Sequence, residues 1–91
     1  MEKRIGVIGI FLTDFSLAEK VNELLHESRQ IIIGRMGIPC KDKGVMVISL
    51  IVDGTTDEIS TLTGRLGRIG GVSVKSALSG HTGGVAVKQQ N

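Results

Sequence analysis

Apolar residues gather into four short runs and two spaced stripes along the chain. The longest run, Val45–Val52, is β-branched and aliphatic except for Ser49, and Gly44 and Asp53-Gly54 bound it. A run of that content predicts a strand covered on both faces. Thr55-Thr56-Asp57-Glu58 has capping-box spacing, with the Thr55 hydroxyl placed for first-turn amides and Glu58 for the return bond. Ile59, Leu62, Leu66 and Ile69 recur at helical spacing and predict a helix with one apolar stripe, ended by a left-handed cap at Gly70-Gly71. Arg4–Leu12 predicts a second strand. Thr13-Asp14-Phe15-Ser16 then turns into a helix reaching Glu27 or Ser28, with Ala18, Val21, Leu24 and Leu25 on one side. Ser16 with Glu19, or Asp14, caps it. Gln30–Met36 predicts a third strand. Residues 37–44 read as a Pro- and Gly-bearing loop. Val72–Ser79 predicts a fourth strand, with Val72 and Val74 alternating against Ser73 and Lys75.

The pattern repeats. Ile5, Val7, Ile8, Ile10 and Leu12 match Val45, Val47, Ile48, Leu50 and Val52 forty positions later. Ala18, Val21 and Leu25 match Ile59, Leu62 and Leu66 at an offset of forty-one. The order is βαββαβ, and right-handed crossovers set the first and third strands side by side in the middle. The expected fold class is therefore α+β: a ferredoxin-like sandwich, four antiparallel strands with both helices on one face. It spans residues 1–79, followed by a C-terminal tail, 80–91.

Two helices cover one face, yet the central strands are apolar on both. Ile8, Ile10, Leu12, Ile48, Leu50 and Val52 are expected under the helices. Ile5, Val7, Phe11, Val45, Val47 and Ile51 then lie on the open face, with the small residues Gly9 and Ser49 between them. An exposed apolar patch of this kind marks an interface, so a homodimer or homotetramer is expected. The other candidate cover is the tail, with its short run Val85-Ala86-Val87.

Composition narrows the function. The chain has 91 residues, a hydrophobic fraction of 41%, two Phe and no Trp or Tyr. That is one domain with an Ile/Val/Leu core. A net charge of +2, with Lys and Arg scattered, gives no electrostatic footprint for nucleic acid, and direct nucleic-acid binding is not expected. Cys40 is the single cysteine, which fits a reducing compartment. No stretch has the length of a membrane span or the form of a signal peptide, so a cytoplasmic protein is expected.

Chemistry is sparse. His26, Cys40 and His81 are the soft metal ligands, but no two stand at ligand spacing, and no metal is assigned. The serines and threonines fall in caps and strands, away from either histidine, so no catalytic residue and no cofactor are assigned. Gly6 and Gly9 lie inside a strand and Gly64 and Gly67 inside a helix, where they predict close packing and not a phosphate cradle. Two turns remain. Thr13-Asp14-Phe15 and Asp53-Gly54-Thr55 open the helices, where amides favour anionic groups; they read either as ordinary capping turns or as the seat of a small anion or amino acid between subunits. Arg35, Lys41, Lys43, Arg65 and Arg68 are candidates for an acidic partner.

Two motifs carry a resemblance: Ile32-Ile33-Gly34-Arg35-Met36-Gly37-Ile38-Pro39, and Asp53-Gly54-Thr55-Thr56-Asp57-Glu58-Ile59 continuing through Leu62-Thr63-Gly64-Arg65-Leu66-Gly67 to Gly71-Val72. Together they resemble the family named for regulators of iron-only hydrogenase systems. The likeness spans roughly Lys3 to Ser79. The family looks ACT-like and is similar to the regulatory half of the nickel-responsive repressor. The resemblance implies oligomerisation and a regulatory role without catalysis, through a small ligand or a partner protein. That repressor carries a ribbon-helix-helix DNA-binding segment; here the first strand begins by about Arg4, and no such segment is expected ahead of it. The histidine pair and cysteine that bind nickel there have no counterpart. A metal sensor using Cys40 or His81 between subunits, and a direct DNA-binding regulator, are the alternatives.

Overall fold

Two aliphatic strands, β1 (Arg4–Leu12) and β3 (Val45–Gly54), lie antiparallel at the centre of the computed structural model, which describes residues 2–80. β2 (Ile32–Cys40) flanks β3 and β4 (Val72–Leu78) flanks β1, so the sheet order is β2-β3-β1-β4. All three pairings are antiparallel. α1 (Ala18–Glu27) links β1 to β2, and α2 (Thr56–Gly67) links β3 to β4. Both helices lie on one face, which is the expected ferredoxin-like α+β arrangement. Ile8, Ile10 and Leu12 from β1 and Ile48, Leu50 and Val52 from β3 meet Val21 and Leu25 of α1, Ile59, Leu62 and Leu66 of α2, and Ile31 in one buried cluster.

Register follows the internal repeat. Gly9 pairs with Ser49, its equivalent forty positions on, so the approximate two-fold axis of the fold passes through that pair.

Several boundaries differ from the pattern-based expectation. β2 starts at Ile32 and runs through residues 37–40, which had read as a loop. It is an edge strand, and an edge tolerates Pro39 because one side of its backbone needs no ladder partner. A bulge between Ile32 and Gly34 shifts its register on β3. The true β2–β3 connection is one 3₁₀ turn, Lys41–Lys43, closed by Gly44 at φ 67°. α2 ends at Gly67, short of Ile69, and the chain reverses through Gly71 at φ 89°. A Cβ at Gly71 would lie 2.8 Å from Leu17 Cδ1, a methyl that can swing aside, so it is the left-handed backbone that favours glycine there. Close packing at Gly64 and Gly67 is not found: a Cβ at either would meet nothing within 4 Å. Both sit on the outer face of α2, away from the sheet.

The two helices start differently. Thr55 and Glu58 complete a capping box: the Glu58 amide donates to Thr55 Oγ1 at 3.1 Å, and the Thr55 amide donates to Glu58 Oε1 at 2.9 Å. The first helix is entered through a 3₁₀ turn, Phe15–Leu17, capped by Asp14 and not by Ser16. Asp14 Oδ1 accepts from the Ser16 hydroxyl at 2.7 Å and from the Ser16 amide at 3.0 Å. These bonds favour the charged carboxylate, led by the hydroxyl bond, and hold its pKa below the ordinary 3.8.

Thr55→Ala is expected to lower the unfolding free energy by about 1 kcal/mol, read by urea titration. The Asp14 contribution carries a pH signature. The folded chain binds this proton more weakly than the unfolded chain, so the stabilisation is complete above pH 3.8 and is lost as pH falls through the depressed folded value. The stability gap between wild type and Asp14→Ala should narrow on acidification below pH 3.8, and thermal melts across that range measure it.

Candidate functional site

Strand alternation sorts the sheet into a helix-covered face and an open one. Odd-numbered residues of β1 and β3 point to the open face. The pairings add Gly34, Met36, Ile38 and Cys40 from β2, and Ser73, Lys75 and Ala77 from β4. Three rows cross the strands: Ala77, Val7, Ile51 and Gly34; Lys75, Gly9, Ser49 and Met36; Ser73, Phe11, Val47 and Ile38. The middle row is low at its centre and the outer rows are apolar. Ile5 is 45% exposed, Val7 46%, Phe11 36%, Ile51 38%, Met36 59% and Ile38 50%. Val45, Val47, Gly9 and Ser49 are half-buried. The eight interface candidates, Ile5, Val7, Gly9, Phe11, Val45, Val47, Ser49 and Ile51, thus share one face. Met36, Ile38 and Ala77 extend it. Ile38 was missed because residues 37–44 looked like loop, and Met36 because it stood at the very end of the expected strand, although Met36, Ile38 and Cys40 alternate with Gly37 and Pro39 at strand period.

The open face carries two sheet charges of opposite sign, Asp53 beside Ile5 and Lys75 beside Gly9. Residues 81–91, and with them His81 and most of the expected tail, lie outside the described residues.

The two turns chosen as ligand sites stand apart. Thr13-Asp14-Phe15 follows the end of β1, next to Gly71, whose carbonyl accepts from the Thr13 amide at 3.2 Å. Asp53-Gly54-Thr55 follows the end of β3, where Gly54 pairs with Arg4 at the start of β1. Because β1 and β3 are antiparallel, the turns occupy opposite ends of the sheet. At each, the chain's own side chains already bond first-turn amides: Asp14 takes Ser16, and Thr55 takes Glu58. Thr55 also borders a shallow depression of about 240 Å³ with Glu2, Arg4 and Thr56.

The basic residues do not form one patch. Arg65 pairs with Glu27 at 3.0 Å across the groove between the helices, a depression that Arg68 also lines. Lys41 and Lys43 lie in the β2–β3 turn. Arg35, on β2, donates to Asn22 Oδ1 of α1 at 2.7 Å. Among the described residues no three of His, Cys, Asp and Glu converge at metal-binding distance. Cys40 is half-buried on the open face. No helix among the described residues is long and apolar enough to cross a membrane.

Comparison with known proteins agrees with this architecture. A family model described as "TM1266-like: Iron-only hydrogenase system regulator, putative" matches residues 4–76. The structure of the uncharacterized protein TM1266 from Thermotoga maritima is similar, with a TM-score of 0.80 and 37% sequence identity, over 85% of this chain and 98% of that one. The search of curated proteins returns no match. The match takes in both helices and all but the last two residues of β4, and on that basis the chain belongs to the TM1266-like family.

Proposed function

We propose that this chain is an ACT-like regulatory module of an iron-only hydrogenase system, and that it works as a homo-oligomer joined through the open face of its sheet. The observation that carries the reading is the row of exposed Ile, Val, Phe and Met side chains on that face. At roughly 180 Å² for each fully exposed side chain, Ile5, Val7, Phe11, Met36, Ile38 and Ile51 present about 500 Å² of apolar surface per copy. Two copies would cover about 1,000 Å² before any polar rim, the size at which specific interfaces begin.

A second copy suits the face better than a partner of different character. Its two charges, Asp53 and Lys75, have opposite signs, and an isologous contact requires a surface that complements itself. A strongly anionic partner would find one cation there. The low row through Gly9 and Ser49 leaves space for an apolar row of the facing sheet, and inner faces of stacked sheets interdigitate in this way. Such an assembly also supplies the regulatory logic. A ligand held near Thr13-Asp14-Phe15 or Asp53-Gly54-Thr55, at the ends of the central strands, would shift the association equilibrium if it favoured one packing of the subunits. The module acts by binding, and no catalytic role is assigned to it.

Sedimentation equilibrium at micromolar concentration tests the assembly. Wild type should sediment as a dimer or larger, against a chain mass of 9.7 kDa. Val7→Asp should weaken association at least about a hundredfold, because it buries an unpaired carboxylate in the contact. Thr61→Asp, on the exposed side of α2, should leave the mass unchanged. A wild-type monomer overturns the proposal.

A further inference from the structure

The helix side of the molecule holds a second candidate, independent of how the sheet face is covered. Between α1 and the β2 edge is a depression of about 310 Å³ lined by Asn22, Leu25, His26, Arg29, Ile32 and Arg35. Two guanidinium groups and an imidazole meet there, and the lining contains no carboxylate. Four other depressions on the described surface each include at least one Glu or Asp. Glu19, Glu23 and Glu27 of α1 line the neighbouring depression, which shares Asn22 and His26.

Both arginines bond to neutral acceptors. Arg29 Nη1 donates to the His26 carbonyl at 2.8 Å, and Arg35 Nη2 donates to Asn22 Oδ1 at 2.7 Å. Neither has a carboxylate partner among the described residues, in contrast to Arg65, which is paired with Glu27. Each guanidinium has five N–H donors, and one bond leaves most of its fork free. The floor is apolar: Leu25 is buried and Ile32 half-buried.

We propose that this depression binds the phosphate group of a small organic phosphate. Two guanidinium charges match the charge of a phosphate monoester, near −2 at neutral pH, better than that of a single carboxylate. Its terminal oxygens supply acceptors for two forks and the imidazole, the geometry in which arginine is favoured over lysine. The Leu25–Ile32 floor takes the carbon part of the ligand. The volume lies at the small end of the range for small-molecule sites. The helix N-termini, by contrast, already have first-turn amides bonded to Asp14 and Thr55.

The test is a titration of the ¹⁵N-labelled full chain at fixed ionic strength with inorganic phosphate, phenyl phosphate, acetate and benzoate. Phosphate should give saturable amide shifts centred on Asn22, His26, Arg29 and Arg35, with millimolar or tighter affinity. Phenyl phosphate should bind more tightly than inorganic phosphate because of the apolar floor. Arg35→Gln and Arg29→Gln should each weaken binding at least tenfold, and Arg68→Gln should not change it. Arg29 is exposed and outside the core, so its variant reports even if Arg35→Gln disturbs the strand. Absence of saturable shifts at these residues, an equal response to acetate and benzoate, or wild-type affinity in Arg29→Gln would overturn the assignment.

Discussion

The pairing of β1 with β3 is the constraint on which the rest of the molecule depends. These strands are the inner members of the sheet, hydrogen-bonded on both sides, and each is apolar on both faces. Burial under α1 and α2 accounts for one parity only. Ile8, Ile10, Leu12, Ile48, Leu50 and Val52 are sealed there, while Ile5, Val7, Phe11 and Ile51 remain in water. At 36–46% exposure, each of these side chains forgoes roughly 1 kcal/mol of further burial. The apolar surplus of the central strands therefore lies on the helix-free face of the sheet.

Internal symmetry sharpens this picture. The near two-fold through Gly9 and Ser49 makes the two halves alternate versions of one βαβ unit, and it sets the turns before the two helices at opposite ends of the sheet. The halves then diverge at their margins. β2 extends through Pro39 and carries a bulge, and its Arg35 reaches Asn22 on α1. β4 is shorter and carries Lys75. The basic depression belongs to the first half alone, because Asn22, His26, Arg29 and Arg35 all lie in the first repeat.

Most of the scaffold was legible in the amino-acid pattern, for reasons that are local. The capping box at Thr55 and Glu58, the helical stripe of Ile59, Leu62 and Leu66, and the parity of the central strands each depend on spacing within one element. Features set between elements were not legible. Residues 37–40 join β2 because β3 offers a partner edge, which outweighs the turn preference of Gly37 and Pro39. Gly64 and Gly67 resembled packing glycines, but the rotation of α2 turns them to solvent. The cationic depression arises because the α1–β2 connection folds Arg35 back onto Asn22, thirteen positions away in the chain. The candidate ligand turns were found as turns, but their amides are bonded to Asp14 and Thr55, a detail of side-chain geometry.

The proposed cover for the helix-free side of the sheet is another molecule of the same chain. Isotope-filtered nuclear Overhauser spectroscopy on an equal mixture of labelled and unlabelled protein addresses it directly, because only contacts between copies survive the filter. Cross-peaks between copies are expected from the methyl groups of Val7, Ile38 and Ile51, and none from Leu50 or Leu62 in the core. Contacts of Val7 and Ile51 confined to their own chain, with Val85 and Val87 or with no other residue, would contradict it.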